Sequence, residues 1–315
     1  MLQLVVRRLL QLIGLAVLIG SASFFMMHAL PGDLAARIAA SRYGPDLMST
    51  QAMQAVRLEL GLDQALTLQW AQWLAQLLQG NLGFSLASGE PVWDELSHQM
   101  GTTLLLSFCA MAIALVVGTC LGFCAAMNPH RLISRAINYT TVFVKSLPLF
   151  LIGLLLILWV AYTQVDVPIA GHGQMGSILL PSLTLALPLS FGLARVVAAT
   201  TRPILDSTMV EFARIKGLSR TKVLALHVLP NILNPLLAYS GTQIVLLIEG
   251  AIIVESIFAW PGIGHALVHA IFGRDIPLIQ GTALAMTGIF VALNAALDLI
   301  MMTIDPRLKN LQAAQ

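Results

Sequence analysis

Charge is what this sequence has least of. Lys, Arg, Asp and Glu make up 10% of its 315 residues, while 57% are hydrophobic; soluble domains carry about 25% charged residues. With a mean hydropathy of +0.84, the chain cannot cover its own surface with polar groups, which excludes a soluble globular protein. Only four lysines occur, Lys145, Lys216, Lys222 and Lys309, and none follows a glycine. A phosphate-cradling Gly-Lys-Ser/Thr loop is therefore missing, and with it an ATP motor of that kind on this chain. His-Glu-x-x-His and Gly-x-Ser-x-Gly are also missing, which removes two hydrolase signatures. The three cysteines, Cys109, Cys120 and Cys124, fall in one apolar run and read as packing residues, not as a disulfide framework or a metal set.

What is present is a series of long apolar runs. Six stretches, near 9–30, 102–127, 137–161, 178–200, 233–257 and 279–303, are long enough to cross a hydrocarbon core of about 30 Å. Backbone groups in lipid must be satisfied within the segment, so these spans are helices and the fold class is an all-α integral membrane protein. Arg7, Arg8 and Gly20-Ser21-Ala22-Ser23 imitate a signal peptide. The uncharged run from Leu9 to Leu30 is long enough to be retained as span one. Eleven of the cationic residues fall on one side of this topology (Arg7, Arg8, Arg131, Arg135, Arg202, Arg214, Lys216, Arg220, Lys222, Arg307, Lys309) and four on the other (Arg37, Arg42, Arg57, Arg274). The positive-inside rule then places both termini in the cytoplasm, in agreement with an even number of spans. The expected divisions are residues 1–30 for the N-terminus and span one, 31–100 for an external loop, 101–304 for the membrane core and 305–315 for a cytoplasmic tail.

Two extramembrane segments carry amphipathic pattern. In the external loop, Thr67 to Gln79 is uncharged and holds Trp70 and Trp73. It reads either as a helix lying at headgroup level or as part of a small folded cap on the bundle. In the cytoplasmic loop, within 201–231, Asp206 or Ser207 can start a helix and Gly217 can end it in the left-handed conformation. Met209, Phe212, Ala213 and Lys216 follow i, i+3, i+4, i+7 spacing, Glu211 can pair with Arg214, and Ser219 can cap a second helix that Pro230 would end. So short a helix is marginal alone in water. Either its own bundle covers the apolar stripe or another protein does.

Ionisable residues within spans are costly and point to function. Lys145 and Arg195 are expected to snorkel to the cytoplasmic interface. Glu249 and Glu255 are candidates for the translocation pathway, as is the turn Pro261-Gly262 with Gly264 after span five. His265 and His269 share one helical face and could hold a metal, but no third ligand is set by spacing, so no metal site is assigned.

Glu211-x-Ala213-x-x-x-Gly217, followed after nine residues by His227-x-Leu229-Pro230, resembles the EAA loop of ATP-binding-cassette importer permeases. Leu60-Gly61-Leu62-Asp63, Gly80-Asn81-Leu82-Gly83-Phe84-Ser85, Val254 to Gly264, Arg274-Asp275-Ile276-Pro277 and Asp305-Pro306-Arg307 are similar to the dipeptide, oligopeptide and nickel permeases, in their "B"-type subunit. Phe212 and His227 depart from the loop pattern, and Asn81 stands where an aspartate is expected.

The resemblance implies a six-helix type I importer permease of the bacterial cytoplasmic (inner) membrane, doing no covalent chemistry. Glu211, Phe212, Ala213, Arg214, Gly217 and Pro230 would form the coupling helix that docks an ATPase, and Arg274 and Asp275 an external gate or binding-protein contact. It also implies a second homologous permease, one or two ABC ATPase subunits, an extracytoplasmic solute-binding protein and membrane lipid as partners, with no nucleic acid. No cofactor is expected on this chain, ATP and Mg belonging to the partner subunits. Small peptides, nickel and metal chelates are the cargo range, with a faint lean to nickel in Ile257-Phe258-Ala259-Trp260-Pro261-Gly262. The competing readings are a secondary transporter working without an ATPase, for which internal repeats and paired broken helices are not visible, and a metal-dependent membrane hydrolase built on the histidine pair.

Overall fold

A computed structural model of the chain describes residues 2–29, 32–33, 35–36, 38–39, 44, 49–59, 61–127, 132–174, 176–273 and 275–304. Arg274 and the Asp305-Pro306-Arg307 motif lie outside the described residues. Among the described residues the structure is helical, without strands: α1 (Leu2–Ala29), α2 (Thr50–Glu59), α3 (Leu66–Leu78), α4 (Val92–Met127), α5 (Leu132–Ser146) and α6 (Leu149–Thr163). There follow α7 (Leu179–Leu205), α8 (Thr208–Ile215), α9 (Arg220–Val223), a π-turn (Leu224–Val228), α10 (Leu229–Ile257), α11 (Ile263–Gly273) and α12 (Ile276–Ile304). Among the described residues, five helical stretches are long and apolar enough to cross a bilayer: Arg8–Met26, Val92–Met127, Leu179–Leu205, Arg220–Ile244 and Ile276–Ile300.

Two expectations are corrected. The third span, placed near 137–161 as one apolar stretch, is the pair α5–α6, bent by 108° and counting as a sixth crossing only as one broken span. Pro148 lies at the break in an extended conformation (φ −58, ψ 141); it has no N–H for the ladder and disfavours helix at Leu147 before it. Pro230, expected to end the second loop helix, does not. There the Leu229 N–H bonds the Leu224 carbonyl, one residue further back than in an α-helix. That wide turn accommodates the ring, which would otherwise strike the Leu226 carbonyl. From Arg220 to Ile257 the chain is one continuous helical rod.

The contacts divide the chain differently from the linear division at residue 100. One unit comprises Met1–Thr103 with Pro261–Val291, the other Leu104–Trp260 with Ala292–Gln315. In the second unit α7 is the central helix, packing on α5, α6 and α10; half of its apolar stretch is buried, against 11% for that of α1 or α12. Gly118 and Gly122 bring α4 against α7. A Cβ at Gly118 would lie 2.7 Å from both the Leu193 Cβ and the Ser190 carbonyl, and one at Gly122 would lie 2.5 Å from the Val197 Cβ. This is the small-xxx-small approach by which helices pack in lipid.

In the first unit the loop over residues 31–100 has its own small core, Ala35, Ile38, Ala39, Val56 and Leu86. Helix α3 is docked on α1 within this unit, which favours the folded-cap reading of the loop. The Trp70 indole donates to Ser21 Oγ at 3.0 Å and stacks on Phe25, and Trp73 packs on Phe24 and over Gly20. Both indoles are thus turned toward α1.

Candidate functional site

Within the loop 201–231, α8 is a short helix with two unlike faces. Val210 (0% exposed) and Ala213 (4%) belong to the main core of their unit, so the inner face of α8 is covered by its own chain. Met209 (41%), Phe212 (57%) and Ile215 (75%) form an outer apolar row that is exposed. The Lys216 ammonium lies 4.6 Å from the Phe212 ring centroid, so its stem extends that row. Cover by its own chain thus holds for the inner face, and the outer row is left exposed.

Gly217 ends the helix as the sequence predicts. Its φ is +79; its N–H donates to the Arg214 carbonyl at 2.9 Å and that of Leu218 to the Ala213 carbonyl at 3.2 Å, which completes a Schellman cap. Ser219 caps α9 through the Lys222 N–H. Ser207 occupies the N-cap of α8 but does not cap it; its hydroxyl donates back to the Ile204 carbonyl at 2.6 Å. Among the described residues the expected Glu211–Arg214 ion pair is not formed, since Arg214 turns to line a cavity beside the loop. Because α9 continues into α10, the second helix of the loop and span five form one continuous helical stretch.

The pathway candidates separate by burial. Glu249 is exposed on the surface of α10. Glu255 is wholly buried and engaged within the chain, so it does not face an open path. Lys145, expected to snorkel, stands near the end of α5 and its ammonium donates to the Tyr239 hydroxyl at 3.0 Å. Gly192 leaves room for this contact, since a Cβ there would lie 3.0 Å from the ammonium. Arg195 is exposed on α7.

Pro261, Gly262 and Gly264 form the turn that opens α11, and both glycines are buried. The left-handed residue nearby is Ala259 (φ 48), not a glycine; it is the C′ residue of α10, and the Trp260 N–H donates to the Glu255 carbonyl at 2.8 Å. Thr102 donates to the Pro261 carbonyl, and Thr103 Oγ1 accepts from the Ile263 N–H at 2.9 Å. These two threonines, missed in the sequence, pin the turn to the start of span two.

Asp275 corrects a further expectation. It is 1% exposed. One carboxylate oxygen caps α12 through the Leu278 N–H at 3.2 Å; the other accepts from the Ser85 hydroxyl at 2.5 Å and the Ala87 N–H at 3.1 Å. The group is consumed within the chain and positions the Ser85–Ala87 segment, so it offers no oxygen outward. His265 and His269 lie ring to ring with centroids 4.5 Å apart. Burial, and then the charge of His269, hold the His265 pKa below its ordinary value. No third His, Cys, Asp or Glu joins them among the described residues.

Among the described residues, then, are five helices long and apolar enough to cross a bilayer, a sixth crossing if the bent pair is one span, and a loop helix with an exposed apolar row. Residues 118–310 match the family of binding-protein-dependent transport system inner membrane components, and residues 1–107 match the corresponding N-terminal membrane component. The chain belongs to that family, the permeases of ABC importers. It is 33% identical over 314 residues to a Brucella abortus protein named as a peptide transport system permease, covering 97% of this chain and 98% of that one. It is 34% identical over 309 residues to the Escherichia coli glutathione transport system permease protein GsiC, covering 98% and 99%. An inward-facing MetNI methionine ABC transporter chain shares the fold at a TM-score of 0.56, with 15% identity, over 67% of this chain and 96% of that chain.

Proposed function

We propose that this chain forms half of the translocation pathway of an ATP-driven importer of small peptides, beside a second homologous permease. Cargo would arrive from an extracytoplasmic solute-binding protein, and one or two separate ABC ATPase subunits would supply ATP and Mg; the chain itself would catalyse nothing. Both termini would lie in the cytoplasm. The observation that carries the coupling reading is the exposed row Met209, Phe212 and Ile215 on a helix whose opposite face is locked into the core. Such a helix transmits force: the ATPase grips the outer row, and closure of the ATPase dimer rocks α10 through the unbroken rod from Arg220.

The relatives named for peptide and glutathione transport support a peptide cargo over nickel or a metal chelate. Melting of the cognate binding protein with dipeptides, glutathione and nickel tests the cargo, and a shift with nickel alone would overturn it. Co-purification tests the coupling. Phe212→Asp should insert normally yet lose its ATPase subunits and ATP-driven uptake in proteoliposomes. Uptake driven by an ion gradient without any ATPase would establish the secondary-transporter reading instead.

A further inference from the structure

Beside the loop helix lies a cavity of about 200 Å³ lined by Ala126, Met127, Arg202, Leu205, Asp206, Arg214, Arg220, Val223 and Leu224. Its walls are the last turns of α4 and α7, Asp206, Arg214 of α8 and the first turns of the α9 rod, all in one unit. Three arginines and one aspartate are among its lining residues, an excess of two positive charges. The space is an order of magnitude above the ~10–15 Å³ that a single water requires.

We infer that this cavity binds a phosphate-bearing anion, and that the occupant its position favours is the headgroup of an acidic phospholipid. Arginine is suited to the task, because its planar fork meets phosphate oxygens two at a time. The cavity opens where two apolar helices end, on the side where the basic residues of the chain gather. Basic pockets between membrane helices on that side hold anionic headgroups. The apolar lining, Ala126, Met127, Leu205, Val223 and Leu224, suits the glycerol and first methylenes of a lipid. A lipid seated there touches both Arg214 of the docking helix and Arg202 of the central span, and so ties the loop to the bundle. This site is independent of the cargo and of whether an ATPase docks on the outer face.

The test uses the purified full-length chain in neutral detergent, with phosphatidylglycerol, phosphatidylcholine or inorganic phosphate added and bound molecules counted by native mass spectrometry. Wild type should retain phosphatidylglycerol over phosphatidylcholine. Arg202→Gln and Arg220→Gln should each lower that occupancy about fivefold, at roughly 1 kcal/mol per cation near the surface. Lys222→Gln, on the same short helix but outside the cavity, should leave it unchanged. Retention of inorganic phosphate that prevents lipid binding would identify free phosphate as the source and still support the site. Equal losses for Lys222→Gln and the two arginine variants would reduce the effect to general surface charge and overturn it. So would unchanged occupancy in both arginine variants.

Discussion

Helices α3 and α8 are both short, amphipathic and outside the apolar spans, yet the two end differently. The aromatic side of α3 is met by α1, with Trp70 bonded to Ser21 and Trp73 seated over Gly20. In α8 the chain covers only Val210 and Ala213, while Met209, Phe212 and Ile215 stay open to solvent. Apolar periodicity alone shows that something must cover a face. Whether that cover comes from the same chain separates a structural helix from a docking one.

The two faces of α8 can be set against each other directly. Val210→Asp would bury an unpaired charge in the core and should cost about 3–5 kcal/mol, read as loss of the folded chain from detergent extracts. Its neighbour Phe212→Asp leaves that core untouched and should be extracted like wild type. Equal loss of folded chain in both variants would end the distinction between the faces. Gly20→Val acts on the covered helix. The added Cβ would lie 2.3 Å from the Trp73 ring, and such overpacking costs about 1–3 kcal/mol. Faster proteolysis within 61–80 and red-shifted tryptophan emission are expected; unchanged emission would show that α3 does not depend on this seat.

Smaller changes sharpen the contrast. Gly217→Val forces a β-branched residue into φ +79, at a cost of about 1–2 kcal/mol. It should fray the last turn of α8 and weaken ATPase association while the spans remain intact, measurable by hydrogen exchange over 208–218. Trp70→Phe removes only the bond to Ser21 and should cost about 0.5–1.5 kcal/mol. No change in ATPase association is expected from it, since α3 and α8 serve different covers.

Much of this was legible beforehand because it is local. Apolar length marks a span, and the glycine that ends α8 and the serine that caps α9 act within a turn of their own positions. Two further features are local as well. Pro148 inside an apolar run announces a break, and Gly118 and Gly122 stand at small-xxx-small spacing. Pro230 misled because a π-turn absorbs its ring and the helix runs on. Asp275 misled more deeply, because its partner Ser85 is 190 residues away and no periodicity links the two.

By itself, then, the sequence determined the membrane environment, the number of apolar segments, the basic side and the presence of a helix ending at Gly217. These follow from transfer free energies and short-range backbone geometry, which each segment carries with it. Tertiary structure decided that Asp275 positions rather than contacts, that Lys145 bonds Tyr239, and that three arginines meet at one cavity. It also decided which side of α8 is left exposed. Those outcomes depend on residues far apart in the chain coming together, and such proximity is a property of packing that no local pattern encodes.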